Sequence, residues 1–291
     1  MSSEAGRPGR VPTDRGAPRG RARLNRTAVL AIAGRDLRIV ARSRAVLFPT
    51  IAVPLVLLLT PPLALVVART APESLASLLA SLLARLPVAM LEQLPDEPAR
   101  QAVVLLLVYV FAPLYLLVPV MVASVTAADS VVGERERETL EGLLDSPTTD
   151  TELLLGKVLA PWGLATVVSA LGAVAYGLVA NLVLAEYALP PSFPNAEWGV
   201  LVCWVAPGAA AIGLGLIVAA SSRLKTFQEA SQIIGIVVLP IVALVVAQVA
   251  GMVLFDVRML LAFGAALWLA ASLLLRAAAR GFTRDRLLTR D

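Results

Sequence analysis

Val103-Val-Leu-Leu-Leu-Val-Tyr-Val-Phe-Ala-Pro-Leu-Tyr-Leu-Leu-Val-Pro-Val-Met-Val-Ala-Ser-Val-Thr-Ala-Ala128 carries no charged residue and few polar ones. A helix that crosses the hydrocarbon core of a bilayer needs about 20 predominantly apolar residues, and this run exceeds that. Five further stretches qualify or come close: Ala45–Ala68, Val158–Ala185, Trp198–Ala220, Ile233–Phe255 and Met259–Leu275, the last being the shortest. Of the 291 residues, 58% are hydrophobic and 16% charged. Soluble domains average roughly 45–50% apolar and about 25% charged residues, so lipid is the natural solvent for the surplus. The expected fold is an all-α membrane protein, a bundle of six transmembrane helices. A soluble enzyme is excluded. Pro54, Pro61, Pro62, Pro113, Pro119, Pro207 and Pro240 fall within the spans as expected kinks, which membrane helices tolerate.

Working outward, the connections alternate in charge. Lys and Arg number eleven in the arm through Arg44, three in 129–157, two in 221–231 and five from Arg276 onward. The opposite set has three in 69–100, none in 186–197, and Arg258. The positive-inside rule places both termini in the cytoplasm, and an even number of spans agrees. A plasma-membrane, multi-pass protein follows. Tyr187, Phe193 and Trp198 are expected at the outer interface, where amphipathic rings concentrate. Residues 1–23, rich in Arg, Gly and Pro, are expected to form a disordered basic tail, and 281–291 a cytoplasmic one. Ser74–Met90, interrupted by Arg85 and Pro87, reads as an external helix, either interfacial or packed on the bundle.

Several chemistries lack their residues. There is no histidine, hence no imidazole base or metal ligand. No metal site is expected. The single cysteine, Cys203, lies in an apolar run and reads as a buried structural thiol. No Asp, Glu, Lys or Arg falls inside the six apolar runs, whereas proton-coupled transporters place ionisable groups there. Ser124, Thr126, Thr166, Ser169, Tyr176, Asn181 and Gln248 either line a substrate path or bond across helices. Gly172, Gly177, Gly208, Gly213 and Gly215 permit close helix approach.

The segment after the second span carries the most information. In 134–145, Leu140, Leu143 and Leu144 share one helical face while Glu134, Glu138 and Glu141 share another. Pro147 stops the helix, since the residue before proline disfavours helical geometry. Thr149-Asp-Thr-Glu152 has the pattern of a capping box opening the third span. The acidic helix is either an ordinary solvated surface helix or a lever docked in a partner's groove.

Gly133-Glu-Arg-Glu-Arg-Glu-Thr-Leu-Glu-Gly-Leu-Leu-Asp-Ser-Pro147, with Glu152-Leu-Leu-Leu-Gly-Lys157, resembles the signature of ABC-2-type transporter permeases, roughly E-R-E-x-x-T-L-E-x-L-L-x-x-P and then a G-K pair. The family also carries a basic N-terminal cytoplasmic helix, matched by Gly34-Arg-Asp-Leu-Arg38 with Arg42-Ser-Arg44. The resemblance covers about Asn25 to Arg280, the transmembrane domain then being 24–280. It implies a six-helix permease subunit of an ATP-binding cassette exporter, without catalytic residues, partnered by a separate ABC ATPase and paired as a homodimer or heterodimer with a second permease. By that resemblance 134–145 is the coupling helix. Glu134, Arg135, Glu136, Thr139, Leu140, Glu141 and Leu144 become candidate ATPase contacts, and Gly156 and Lys157 mark the start of the third span. The connection around Asp256–Arg258 is shorter than in many members, which leaves subfamily and substrate open.

Arg35, Arg38 and Arg42, at i, i+3, i+7, form a basic face of an amphipathic helix, suited either to anionic headgroups or to fixing topology alone. The phosphate-binding pattern G-x-x-x-x-G-K-[ST] is approached only at Gly156-Lys157, where position 151 is Thr and position 158 is Val. ATP and Mg are therefore expected on the partner ATPase, not on this chain. No nucleic-acid partner is expected, and the lipid bilayer is the surround. Two other classes remain at this point: a membrane-embedded enzyme using Glu134, Glu136 and Asp145, and a passive channel or scaffold.

Overall fold

The computed structural model describes residues 25–42, 44–68, 84, 97–136, 149–221, 224, 226–249 and 256–281. Seven helical stretches account for the elements among them, and none is a strand. These are α1 (Arg26–Arg42), α2 (Arg44–Ala68), α3 (Pro98 through Glu136, in segments), α4 (Asp150–Glu186), α5 (Ala196–Val200 continuing to Ala206–Ala220), α6 (Phe227–Val249) and α7 (Val257–Gly281). By length and apolarity α3 to α7 can each cross a bilayer, and α2 contains a shorter apolar stretch, Thr50–Val66. The tail 1–23, Ser74–Met90, most of the expected coupling helix (137–145) and 282–291 lie outside the described residues.

Local sequence explains most helix starts. Asn25 Oδ1 accepts from Thr27 N and Ala28 N at α1. Thr149 and Glu152 close the expected capping box at α4, with Glu152 N donating to Thr149 Oγ1 at 3.3 Å and Thr149 N to Glu152 Oε2 at 2.9 Å. Asn195, Thr226 and Asp256 cap α5, α6 and α7 in the same way. Such side chains satisfy amides that the helix itself leaves without a partner.

The helices overrun the apolar runs that announced them. The third span, expected at 158–185, belongs to a helix that begins at Asp150. The last, expected at 259–275, extends over Val257–Gly281. The second continues past Ala128 through Asp129–Gly133 into Glu134–Glu136, so these first three residues of the expected separate coupling helix prolong α3. A backbone already helical in lipid keeps propagating while a side chain can reach a polar partner, and apolarity alone does not mark its end.

α3 is the central rod. In its most apolar window 72% of residues are buried inside the chain, against 12% for α6. α4 crosses it on one side and α5 on another. A Cβ at Gly213 of α5 would sit 3.1 Å from the Val120 carbonyl oxygen of α3, so glycine suits that close crossing. Large apolar side chains point outward from α2, α4, α6 and α7, among them Val56, Leu178, Ile236 and Leu269. Cys203, on α5, is exposed as well. The expectation of a buried thiol is thus corrected: in a membrane bundle an apolar neighbourhood also describes the lipid-facing surface.

Three π-helical stretches interrupt these helices: Leu105–Val110 and Asp129–Gly133 in α3, and Leu201–Val205 in α5. A π turn weakens the regular ladder and leaves carbonyls with spare capacity. In each stretch a side chain from another element takes such a carbonyl. Tyr176 OH donates to Leu107 O at 2.7 Å and Trp198 Nε1 to Val108 O at 2.9 Å. Trp268 Nε1 donates to Trp204 O at 3.1 Å, and Lys157 Nζ to Ser130 O at 2.7 Å. Pro113, lacking an N–H, cannot donate to Val108 O in the π register, which accounts for the indole there.

Trp198 is consequently buried. It stacks on Tyr176 with ring centroids 4.7 Å apart, and Phe193 meets both rings edge-on. Trp198 and half-buried Phe193, expected as outer-interface anchors, form with Tyr176 an aromatic plug, in which the Trp198 indole itself supplies a donor to the opened ladder of α3. Asn181 holds the same end, accepting from Ser192 N and Phe193 N and donating to Phe193 O. The mild polar groups Thr126, Thr166 and Ser169 bond to carbonyls of their own helices.

Candidate functional site

At the end of the bundle opposite the aromatic plug, α1 lies along the first turns of α4. Ile32, Ala33, Asp36 and Val40 recur at helical spacing and form its buried stripe. Gly156 of α4 receives this stripe. A Cβ there would fall 2.6 Å from Ile32 Cγ2 and 3.2 Å from the Val29 carbonyl oxygen. Glycine is needed at this position for contact between backbones, not for turning the chain.

The next residue, Lys157, lies beside that contact and wholly inside, with 0% of its side chain exposed. Its ammonium meets Glu134 Oε2 at 2.6 Å, Ser130 O at 2.7 Å, and Ser130 Oγ and Asp36 Oδ2 at 3.4 and 3.5 Å. Ser130 Oγ in turn donates to Asp36 Oδ2 at 2.9 Å. Arg35, at the half-exposed rim, stands 3.6 Å from Asp36 Oδ1 and 3.9 Å from Glu134 Oε1. Two carboxylates and two cations therefore close a neutral quartet that joins α1, the end of α3 and α4. Exposed ion pairs contribute roughly 0–1 kcal/mol, so Arg35 adds little. Removing one partner of a buried pair costs about 3–5 kcal/mol, because the other charge is left uncompensated. A small cavity of about 10 Å³ adjoins Asp36, lined also by Val40, Thr126, Ser130 and Pro161.

The same region holds the base of the 137–148 segment from both sides. Glu136 Oε2 accepts from Phe227 N, the first residue of α6, at 2.9 Å. On the far side Glu152 Oε1 accepts from Asn25 N at 2.7 Å, tying the start of α1 to the cap of α4. The chain thus leaves α3 and re-enters α4 from two anchored points.

The candidate residues named from sequence separate accordingly. Gly156 and Lys157 come together with Glu134, and Arg35 joins them. Glu134 is 6% exposed and turned inward, so direct contact with another chain is not what its geometry offers. Glu136 is exposed and bonded to α6. Arg38 and Arg42 lie exposed on α1, with Arg38 Nε donating to Gly34 O at 3.0 Å. The Arg135 side chain and Thr139, Leu140, Glu141 and Leu144 lie outside the described residues. Among the described residues no group of acidic, Cys or His side chains is placed to hold a metal ion.

Asp36 and Ser130 were not singled out from sequence. A signal existed: Asp36 sits on the apolar stripe of α1, and Lys157 on the stripe running through Leu153, Leu154, Ala160 and Ala165 of α4. Opposite charges on the inward stripes of two helices imply a mutual partner, since a lone buried charge is prohibitively costly.

The family model of the ABC-2 family transporter protein matches residues 30–279, a range that contains the charged quartet and nearly all of the helical bundle. No curated protein matches the chain.

Proposed function

The chain belongs to the ABC-2 transporter family, and on that premise we propose that it is the membrane permease of an ABC exporter, driven through residues 134–145 by a separate ATPase. The observation that carries this reading is the family match across 30–279, joined to a signature segment anchored at both ends. In this reading α2 to α7 are six spans and both termini face the cytoplasm of a plasma membrane. Two copies, or one copy and a relative, enclose the pathway, because one bundle with so packed a central rod has little interior of its own. Transport runs outward. ATP and Mg bind the partner ATPase.

Surface contact with that ATPase falls to Glu136 and Arg135 and to Thr139, Leu140, Glu141 and Leu144. Glu134 serves from inside, holding the base of the segment against Lys157. Arg38 and Arg42 face anionic headgroups beside exposed Leu30 and Leu37.

Purification of the unaltered chain from its native membrane tests the proposal. A P-loop ATPase is expected to copurify, and the chain stripped of it should hydrolyse no ATP. Glu141→Lys together with Leu144→Asp should release the ATPase while folded permease still accumulates. Full retention of the ATPase by that variant would refute the assignment of this segment.

A further inference from the structure

We propose that the small cavity between α1, α3 and α4 is a binding site for one water molecule, which completes the hydrogen bonding of Asp36 inside the charged junction. The site is built by this chain alone and does not depend on the partner ATPase.

Asp36 is 3% exposed, and an ionised carboxylate is an acceptor through both of its oxygens. Oδ2 accepts from Ser130 Oγ at 2.9 Å and lies 3.5 Å from Lys157 Nζ. Oδ1 is buried, and no donor among the described residues reaches it within hydrogen-bond distance. Arg35 Nη1, at 3.6 Å, is too far for a hydrogen bond. Buried polar atoms are paired with protein or ordered water in the great majority of cases, so Oδ1 calls for a donor from outside the chain.

Asp36 lines the cavity together with Val40 of α1, Thr126 and Ser130 of α3, and Ala160 and Pro161 of α4. Its volume of about 10 Å³ is that of a single water-sized sphere. A water there has two protons to give, and one goes to Asp36 Oδ1. Thr126 can take the other: its own proton is committed to Val122 O at 2.6 Å, and the lone pairs of Oγ1 remain to accept. Pro161 supplies a further acceptor. It has no N–H, so the Lys157 carbonyl one turn below lacks its helical amide.

Oδ1, Thr126 Oγ1 and that carbonyl all accept, so the occupant must donate. A metal ion is selected against on charge and on number. Lys157 and Arg35 already balance Asp36 and Glu134, and hard cations take about six or more oxygens. An apolar occupant would leave Oδ1 unpaired.

Radiolytic hydroxyl-radical labelling of the whole chain in lipid nanodiscs tests the site, since an X-ray pulse makes radicals in place from bound water. Corrected for intrinsic reactivity, buried Val40 and Pro161 should be oxidised about fivefold or more faster than Val131 and Leu153, which are buried in the same region but do not line the cavity. Ala160→Ser places a hydroxyl at the cavity wall that donates to Oδ1 in the water's stead. Labelling at Val40 and Pro161 should then fall to the level of Leu153 with the melting temperature kept. Thr126→Val keeps the side-chain shape, removes an acceptor, and should lower the labelling at both positions. Equal labelling of Val40, Pro161 and Leu153 in the unaltered chain overturns the proposal. So does full labelling in both variants, which marks access from bulk solvent. Labelling of the unaltered chain that falls as sodium replaces choline at constant ionic strength marks a bound cation, and overturns it too. None of these readings changes with the presence of an ATPase, so failure here and failure of the proposed function are separate results.

Discussion

The two ends of α3 solve the same backbone problem with different chemistry. Near Leu107 and Val108 the spare carbonyls of a π turn are taken by a phenol and an indole, neutral donors held in a cluster of four rings with Phe193 and Tyr115. Near Ser130 the spare carbonyl is taken by an ammonium, whose charge then requires Asp36 and Glu134. Neutral aromatic caps bring large apolar area with them and bond locally, which makes a rigid plug. A charged cap recruits counter-ions from other helices, which makes a junction. One end is thus a local aromatic cluster and the other a three-helix junction.

The contrast can be broken in order of expected effect. Lys157→Met should be the most severe single change, at about 3–5 kcal/mol, read as loss of the monodisperse peak in detergent chromatography and a lower melting temperature. If it costs no more than an aromatic-end substitution, the two ends are not different in kind. Gly156→Val comes next. Its branched side chain meets Ile32 and the Val29 carbonyl, and overpacking of this sort costs about 1–3 kcal/mol. The damage should be local, seen as faster proteolysis at the α1 end with the aromatic plug still protected.

At the plug, Trp198→Phe keeps a ring and removes the donor to Val108 O, and Tyr176→Phe does the same for Leu107 O. Leaving a buried acceptor without its donor costs about 1–3 kcal/mol. Each should lower the melting temperature while leaving ATPase binding unchanged, and loss of that binding would contradict the division of labour between the ends. Thr149→Ala is the mildest change, worth about 1 kcal/mol through loss of the N-cap acceptor for Glu152 N. Amide exchange should rise in the first turn of α4 and nowhere else.

How far all this was legible depended on which rule each residue obeyed. Thr149 and Glu152 obey a local capping rule, and the box was read from four letters and found intact. The apolar runs obey a solvent rule, and the helices fall on them with longer ends. Trp198 was read by the statistics of interfacial rings, and a carbonyl of α3, 90 positions away, holds its indole. Cys203 was read as inward because its neighbours are apolar, a criterion that loses meaning where the surroundings are apolar too.

Sequence alone determined that the chain is helical and lipid-embedded, where its connections lie, and which segment carries the family signature. Those properties follow from composition, periodicity and short-range bonding, each complete within a few turns. Only the tertiary structure decided that Asp36, Ser130, Glu134 and Lys157 meet. That depends on the angle at which α1 crosses α4 over Gly156 and on the π turn that rotates the end of α3, and both are set by packing between residues some 120 positions apart.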